Sequence, residues 1–376
     1  MKNIVETTFN AERDEYLTQN GGRANGYYRR DLIIDDTKIE DIKVPRIRNS
    51  NWRPAAIPKK YQRYADGENN FLDRLVKLCF SGYSYRKIAR ILKEFNDIEI
   101  SYSTLSRMVK KAKKVVDNFR KSLLEEEYIA LYLDAKYIKM YSPNGIEKSL
   151  TLAAVGLNKE GESEVLDIEI VPTDKETAQA YEDLIKRLKQ RGLKKINFLI
   201  TDGIPGIEAV VRKFLNGFLY QRCLIHYIRN IQSKVRKKDK KEILEDFRQM
   251  LSCKDKKTAK EYFYKHFYPK WSSLYKRLVS QIEKDLDSLL SHLFLPKPLR
   301  KYVSTTNVVE RFIRTLSEAN RRSAYFGGFE RVEHLAIYSA MEYNRQEHKI
   351  SCHKQWKEFW ENLEKNKKDV NFDTTF

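Results

Sequence analysis

An aspartate stands inside a strand-like run. Residues Tyr128–Tyr141 are apolar, aromatic or β-branched around Asp134, and Leu131-Tyr132-Leu133 lead directly into it. A carboxylate in such a run is costly to bury unless it has a partner or a task, so this position constrains both the fold and its purpose. Asn144-Gly145 is a strong two-residue hairpin signal. Lys148–Leu157 and Glu164–Val171 continue the strand pattern on either side of a turn at Asn158–Gly161. Glu176–Gln190 then changes to helical spacing, with Ala180, Leu184 and Leu188 on one face, and stops at Gly192. An apolar strand over Lys195–Asp202 ends at Thr201-Asp202-Gly203, before a helix over Gly206–Leu215 and a short strand at Leu219–Cys223. Three strands, helix, strand, helix, strand predicts a mixed α/β sheet whose meander comes first.

Charge divides the chain around this segment. The 376 residues hold 72 Lys+Arg against 52 Asp+Glu, a net +20. Residues 1–127 carry +7, 128–203 carry −1, 204–303 carry +13 and 304–376 carry +1. Two basic blocks beside a slightly acidic one fit a polyanionic partner, because nucleic acid releases counterions when cations bind it. With 41% apolar and 33% charged residues, a disordered tail is excluded. The longest unbroken apolar stretch, about Leu152–Leu157, falls far short of the roughly 20 residues of a bilayer span. The N-terminal residues carry acids and no apolar signal stretch, and four scattered cysteines form no disulfide framework. A cytoplasmic protein without a membrane partner is expected.

Six segments follow from these patterns. Residues 1–65 read as an extended, DNA-contacting region with strand-like Leu32–Ile34, and Pro45 holds Val44–Arg48 out of helix. Residues 66–127 read as three short helices. The first carries Phe71, Leu72, Leu75 and Val76; Ser84 caps the second; Ser101 or Ser103 caps the third. The third bears Ser103, Thr104, Ser106, Arg107, Lys110, Lys111, Lys113 and Lys114, as a recognition helix entering a major groove would. A plain three-helix bundle with a solvated lysine face fits the same pattern. After 128–223, the first part of the sheet domain, residues 224–303 are helical and lysine-rich, densest at Lys234–Lys241, and read as an insertion. Residues 304–350 complete the domain with helices over Thr305–Arg322 and Phe329–His348, and 351–376 form a tail.

Three acidic positions could share one metal site. Phosphoryl transfer between nucleic-acid strands needs divalent cations that clamp the attacking and leaving oxygens, and Mg²⁺ is held by a few carboxylates. Asp134 lies within the first strand, Asp202 ends the fourth, and Glu310 sits on a helix with Asn307 and Arg314. Singly, Asp202 before Gly203 also reads as a turn former, and Glu310 near Arg311 and Arg314 as a surface ion-pair residue. Asp167, Glu169, Asp174 and Glu208 compete by spacing.

Four motifs in order, carrying five residues, narrow the choice. Asp134 in YLDAKY, Asp202 in ITDGIPGI, Cys223 and His226 in QRCLIHYIRN, and Glu310 in NVVERFIR resemble bacterial Mutator-type insertion-sequence transposases. The similarity spans roughly residues 25–345, taking in NGYYRRDLIIDDTKIEDIKVPRIRN and RRSAYFGGF. The resemblance implies a ribonuclease-H-like mixed sheet interrupted by an α-helical insertion and preceded by a helix-turn-helix-like region. It also implies an Asp-Asp-Glu triad of Asp134, Asp202 and Glu310 that binds Mg²⁺, with Mn²⁺ as a substitute. The 108 positions between Asp202 and Glu310 accommodate the insertion. The implied activity is cleavage at terminal inverted repeats and joining of the freed 3′-OH to target DNA, by a homodimer that pairs two ends. The implied location is the prokaryotic cytoplasm, in association with the nucleoid.

Supporting residues take lesser roles. Cys223, His226 and Asn307 are active-site candidates, with His226 orienting a phosphate or a metal-bound water, or simply buried and satisfied. Cys223 and His226 with His348, Cys352 and His353 could suggest zinc, but one Cys-x-x-His pair without a nearby second is a weak signature. Arg222, Arg229, Arg311, Arg314, Arg321 and Arg322 suit phosphates. Trp271 reads as a stacking platform for an unpaired base or as an anchor of the insertion's own core. A helix-turn-helix regulator, a domesticated transposase without catalysis and a nuclease acting on hybrids are the competing functions.

Overall fold

The computed structural model describes residues 2–34, 37–50, 52–54, 57, 85–96, 100–101, 103–105, 113–142, 145–171, 176–322, 326–327 and 329–365. The chain divides into two units, Met1–Val115 and Val116–Phe376.

In the first unit, helix α1 (Lys2–Asn20) lies on an antiparallel hairpin of β1 (Ala24–Ile34) and β2 (Thr37–Ile47). Phe9 of α1 is buried with Leu32, Ile39, Ile42, Val44 and Ile57. The sequence pattern reveals only fragments of this hairpin and no helix before it, because α1 has few apolar positions to mark a face. Helix α2 (Tyr85–Asn96) buries Ile88 and Leu92, four residues apart. Ser101 caps the next turn, accepting from Thr104 N–H at 3.2 Å. The expected first helix from Asn70 and candidates Ser106, Arg107, Lys110 and Lys111 lie outside the described residues.

The second unit holds the sheet. Helix α3 (Lys113–Lys121) leads to β3 (Glu127–Ser142), β4 (Gly145–Leu157) and β5 (Ser163–Val171), an antiparallel meander. A 3₁₀ turn at Ala178–Tyr181 precedes α4 (Glu182–Gln190), then come β6 (Lys195–Thr201), α5 (Ile207–Arg212) and β7 (Leu219–Arg222). β6 pairs parallel with β3, and β7 with β6, giving the order β5-β4-β3-β6-β7. The expected mixed α/β sheet is present, and its strands fall within a few residues of the sequence reading. Leu184, Ile185 and Leu188 of α4 pack with Leu131, Leu133, Leu152 and Leu199 in one core. Residues 122–126 belong to this unit: Leu124 N–H donates to Arg191 carbonyl and Arg191 Nε to Ser122 carbonyl, both at 2.8 Å.

Helices α6 (Leu224–Lys234), α7 (Lys240–Leu251), α8 (Lys256–Tyr262), α9 (Tyr268–Trp271) and α10 (Lys276–Leu290) leave the edge strand β7 and surround their own apolar cluster. The chain returns through α11 (Arg300–Val303) to α12 (Asn307–Arg322), two-residue β8 (Phe326–Gly327) beside β3, and α13 (Phe329–Asn344). Val309, Phe312, Ile313 and Leu316 form the buried stripe of α12, which packs on β3 and β4. A helix absent from the sequence reading, α14 (His353–Lys365), buries Trp356 and Trp360, and Trp356 Nε1 donates to Asn158 carbonyl at 3.0 Å. Among the described residues, no helix is long and apolar enough to cross a membrane.

Candidate active site

Sheet register brings the first two acids together. In the parallel pair, Leu131 lies beside Leu199 and Tyr132 beside Ile200, so the same offset sets Asp134 beside Asp202, just past the end of β6. Cys223 follows β7 one strand further out, its N–H donating to Thr201 carbonyl at 2.8 Å, and stands immediately before α6. One turn into α6, His226 Nδ1 contacts the Asp202 carboxylate, and its Nε2 lies 3.5 Å from Glu310 Oε1. Glu310 sits in the first turn of α12. Thr306, just ahead of that helix, donates Oγ1–H to Glu310 Oε1 at 2.9 Å and lies 3.4 Å from Asp202 Oδ1 and 3.2 Å from Cys223 Sγ. The Leu224 N–H to Ser304 carbonyl bond (2.9 Å) ties the start of α6 to the segment before α12.

Charge accumulates at this point. Asp134 is 9% exposed, and burial followed by the charge of Asp202 pushes its carboxyl up to about 7, against a 2.8 Å hydrogen bond from Ala135 N–H. Glu310 adds to the rise. His226 is pushed up to about 10 by its hydrogen bonds to Asp202 and Cys223. Burial pushes the Cys223 thiol up, but hydrogen bonds with His226 and Thr306 outweigh it and set the thiol below its ordinary value. A cluster of three carboxylates, one buried and two half-buried, with the buried one raised first by its burial and then by its neighbours, suits a hard divalent cation. Asp202, Cys223 and His226 also bring ligand atoms within 4.8 Å of one another; His348, Cys352 and His353 are not in that group.

The raised His226 has a measurable consequence. A base whose folded pKa exceeds its unfolded value of about 6.5 contributes stability below that value and loses it as pH rises through the folded pKa. In metal-free protein, the melting temperature of the wild type minus that of His226→Gln should therefore shrink as pH rises from 7 to about 10. A difference independent of pH would show that the imidazole is not charged in the fold.

The competing acids have other partners. Asp167 is buried and accepts from Arg187 Nε at 2.8 Å, Glu169 pairs with the same guanidinium, and Glu208 pairs with Arg212 at 2.9 Å. Asp174 lies outside the described residues. Sequence reasoning missed Thr306 and Glu176. Glu176 is raised chiefly by burial and also by the charge of Asp202, and accepts from the buried Tyr181 Oη at 2.7 Å. A threonine four residues before a helical acid was the signal for Thr306; nothing in the sequence distinguishes Glu176.

The basic candidates separate. Arg229, Arg311 and Arg314 are exposed, as is Asn307. Ser103 and Thr104 lie in the first unit; the side chains of Lys114, Arg321 and Arg322 are outside the description. Arg222, expected at DNA, is instead held inside: its guanidinium meets Asp285 Oδ2 at 2.5 Å and lies over the Tyr227 ring at 5.0 Å. Tyr227 Oη donates to the same Asp285 oxygen at 2.9 Å, so the arginine fastens β7 to the insertion. Trp271 likewise differs from a stacking platform. It is 3% exposed within the insertion core, and its Nε1–H donates to Asp246 Oδ2 at 2.8 Å, which makes it the anchor.

Arg222 also restricts Gly203, next to Asp202. Gly203 has φ +91°, and a Cβ there would stand 2.2 Å from the Arg222 guanidinium. Gly203→Ala should cost about 1–3 kcal/mol in a denaturant titration; a neutral substitution would mean the loop moves freely.

Comparison with known proteins gives a consistent result. The family described as "Transposase, Mutator family" matches residues 1–349. The transposase for insertion sequence element IS1201 of Lactobacillus helveticus is 28% identical over 331 residues, 88% of this chain and 87% of the relative. The transposase for ISRM5 of Rhizobium meliloti is 28% identical over 333 residues, covering 86% and 81%. The transposase for IS256 in transposon Tn4001 of Staphylococcus aureus is 29% identical over 273 residues, covering 69% and 68%.

Proposed function

Since the chain belongs to the Mutator family of transposases, we propose that it is a DNA transposase whose Asp134, Asp202 and Glu310 carboxylates hold two Mg²⁺ ions, or Mn²⁺ in their place. The observation that carries the proposal is the convergence of three carboxylates from β3, the end of β6 and α12, with His226 touching two of them. The strand order β5-β4-β3-β6-β7, three antiparallel strands followed by two parallel ones, supports a ribonuclease-H-like core broken after β7 by the helical insertion.

Bound there, the ions supply neutralisation of charge at the attacking and leaving oxygens of an in-line displacement. The chain's residues do the positioning. Asp134 is fixed by the sheet and Glu310 by the buried stripe of α12, so the carboxylates need little reorganisation. Thr306 orients Glu310 through its hydroxyl, and His226 places a cation against Asp202, where it can hold a phosphate oxygen or a water. Water would attack a phosphodiester at the element's terminal inverted repeat, breaking the P–O3′ bond and freeing a 3′-OH. That hydroxyl would attack a second phosphodiester in target DNA and release a new 3′-OH. Two ends must be joined, so a homodimer is the proposed working form. The exposed Arg229, Arg311 and Arg314 are proposed to contact DNA phosphates, and the segment around Ser103 and Thr104, with the lysines after it, to read the repeats.

Calorimetric titration with Mn²⁺ tests the metal site without DNA. Wild type should bind, and Asp134→Asn should bind at least about tenfold more weakly, one lost ligand interaction of about 1.4 kcal/mol or more. Equal binding by both proteins would remove Asp134 from the site. A DNA-binding regulator predicts DNA affinity with no measurable Mn²⁺ site.

A further inference from the structure

Helix α6 begins beside the acidic cluster and ends at a concentration of positive charge. Its Leu224, Tyr227 and Ile231 are buried in the insertion core. Around the helix from them, His226, Arg229, Asn230 and Ser233 recur at i, i+3, i+4 and i+7, a single stripe, and Arg229, Asn230 and Ser233 are exposed. The stripe thus runs from the residue touching Asp202 to the turn that follows Lys234. The eight steps from His226 to Lys234, at 1.5 Å each, span roughly 12 Å.

The turn itself is strongly basic and held in place. Residues 234–241 hold Lys234, Arg236, Lys237, Lys238, Lys240 and Lys241 against the single acid Asp239. Asp239 is already engaged: Arg236 Nε donates to it at 2.9 Å and Tyr275 Oη at 2.5 Å. Val235 is buried in the insertion core, and Arg236 N–H donates to Tyr275 Oη at 3.2 Å, so the turn has fixed points. Lys237, Lys238 and Lys241 are exposed, and the charge of Lys238 adds to the Tyr275 hydrogen bond and to Arg236 in lowering the Asp239 carboxyl. Such an array of lysines at a fixed place, at the end of a polar helix face, matches a phosphate backbone.

We propose that the outer stripe of α6 and the lysine turn 234–241 form a track for duplex DNA, the turn contacting its backbone from about 12 Å, or roughly three to four base pairs, beyond the strand held at Asp134, Asp202 and Glu310. The proposal rests on the transposase reading and adds where the insertion meets the substrate. The contacts are to phosphates, so they hold the duplex in register without reading its sequence.

The test is the salt dependence of binding to a duplex of about 30 base pairs, without divalent metal, followed by fluorescence anisotropy. Each lost phosphate contact lowers the slope of log K against log salt by about 0.9. The variant Lys237→Gln/Lys238→Gln/Lys241→Gln should therefore lose about 2.7 from the slope. Between about 50 and 200 mM salt, wild type should lose about 40-fold more affinity than the variant. A control carrying Lys354→Gln, Lys357→Gln and Lys365→Gln on α14, equally reduced in charge and exposed in wild type, should keep most of the slope. An unchanged slope in the turn variant, or an equal fall in the control, overturns the track and leaves the transposase reading standing. Absence of any duplex binding by wild type overturns both. Should the triple variant lose its melting transition, Lys238→Gln alone is read, with an expected fall of about 0.9.

Discussion

Changing Glu310 to glutamine should lower the single-turnover rate of metal-dependent strand cleavage by about 10²–10⁴-fold while leaving DNA affinity within about twofold. The substitution keeps the length of the side chain and an oxygen for the Thr306 hydroxyl, which donates to Glu310 Oε1 at 2.9 Å. What it removes is one of the negative charges that act on Asp134 and would act on a bound cation. A ligand of this kind is worth several kcal/mol where charge develops in a transition state, and each 1.36 kcal/mol is tenfold in rate. DNA affinity should hold because the proposed phosphate contacts are exposed cations elsewhere. Asp167→Asn is the matching control: it also removes a buried carboxylate, but one paired with Arg187, so it should reduce stability and leave the cleavage rate of the folded protein unchanged. Normal cleavage by Glu310→Gln would show that Glu310 is a surface acid of α12 and no more.

Trp271→Ala should destabilise the protein by about 3–5 kcal/mol, the usual cost of emptying a buried tryptophan site. Trp271 is 3% exposed among Phe247, Phe263, Phe267 and Leu278, and its loss would also strip Asp246 of an N–H donor. Trp271→Phe, which keeps most of the ring but not the donor, should cost about 1–3 kcal/mol. A stacking residue predicts the reverse pattern, with stability unchanged and affinity for single-stranded DNA reduced by about 1–3 kcal/mol. Thermal or denaturant unfolding of the two variants, set beside their DNA affinity, separates the two. Equal stability of all three proteins would contradict the buried position.

Most of the sheet was legible because its strands carry strong local signals. Leu131-Tyr132-Leu133, Asn144-Gly145 and the apolar Lys195–Thr201 run mark elements without help from tertiary contacts. The acidic cluster was legible in part, since a carboxylate following such an apolar run is conspicuous. Its geometry was not: the offset that sets Asp134 beside Asp202 depends on parallel pairing of β3 with β6, which no local pattern encodes. Arg222 shows the limit most clearly. Its place beside Cys223 and His226 suggested phosphate, yet Asp285, 63 positions later in the chain, holds its guanidinium. Helix α14 was missed because its polar surface outweighs Trp356 and Trp360, whose burial depends on docking against Asn158 and its neighbours.

The Asp134, Asp202 and Glu310 cluster is proposed to cut and join DNA. The most direct test incubates the purified protein with labelled duplex carrying the terminal repeats that flank its own gene, with and without Mg²⁺ or Mn²⁺, and resolves the products on a denaturing gel. Nicks at the repeat boundary together with joined products are expected, both dependent on metal and both lost in Asp134→Ala. Nicks without joined products would indicate a nuclease. Salt-sensitive binding with no metal-dependent product, or products that persist in Asp134→Ala, would contradict the assignment of this cluster.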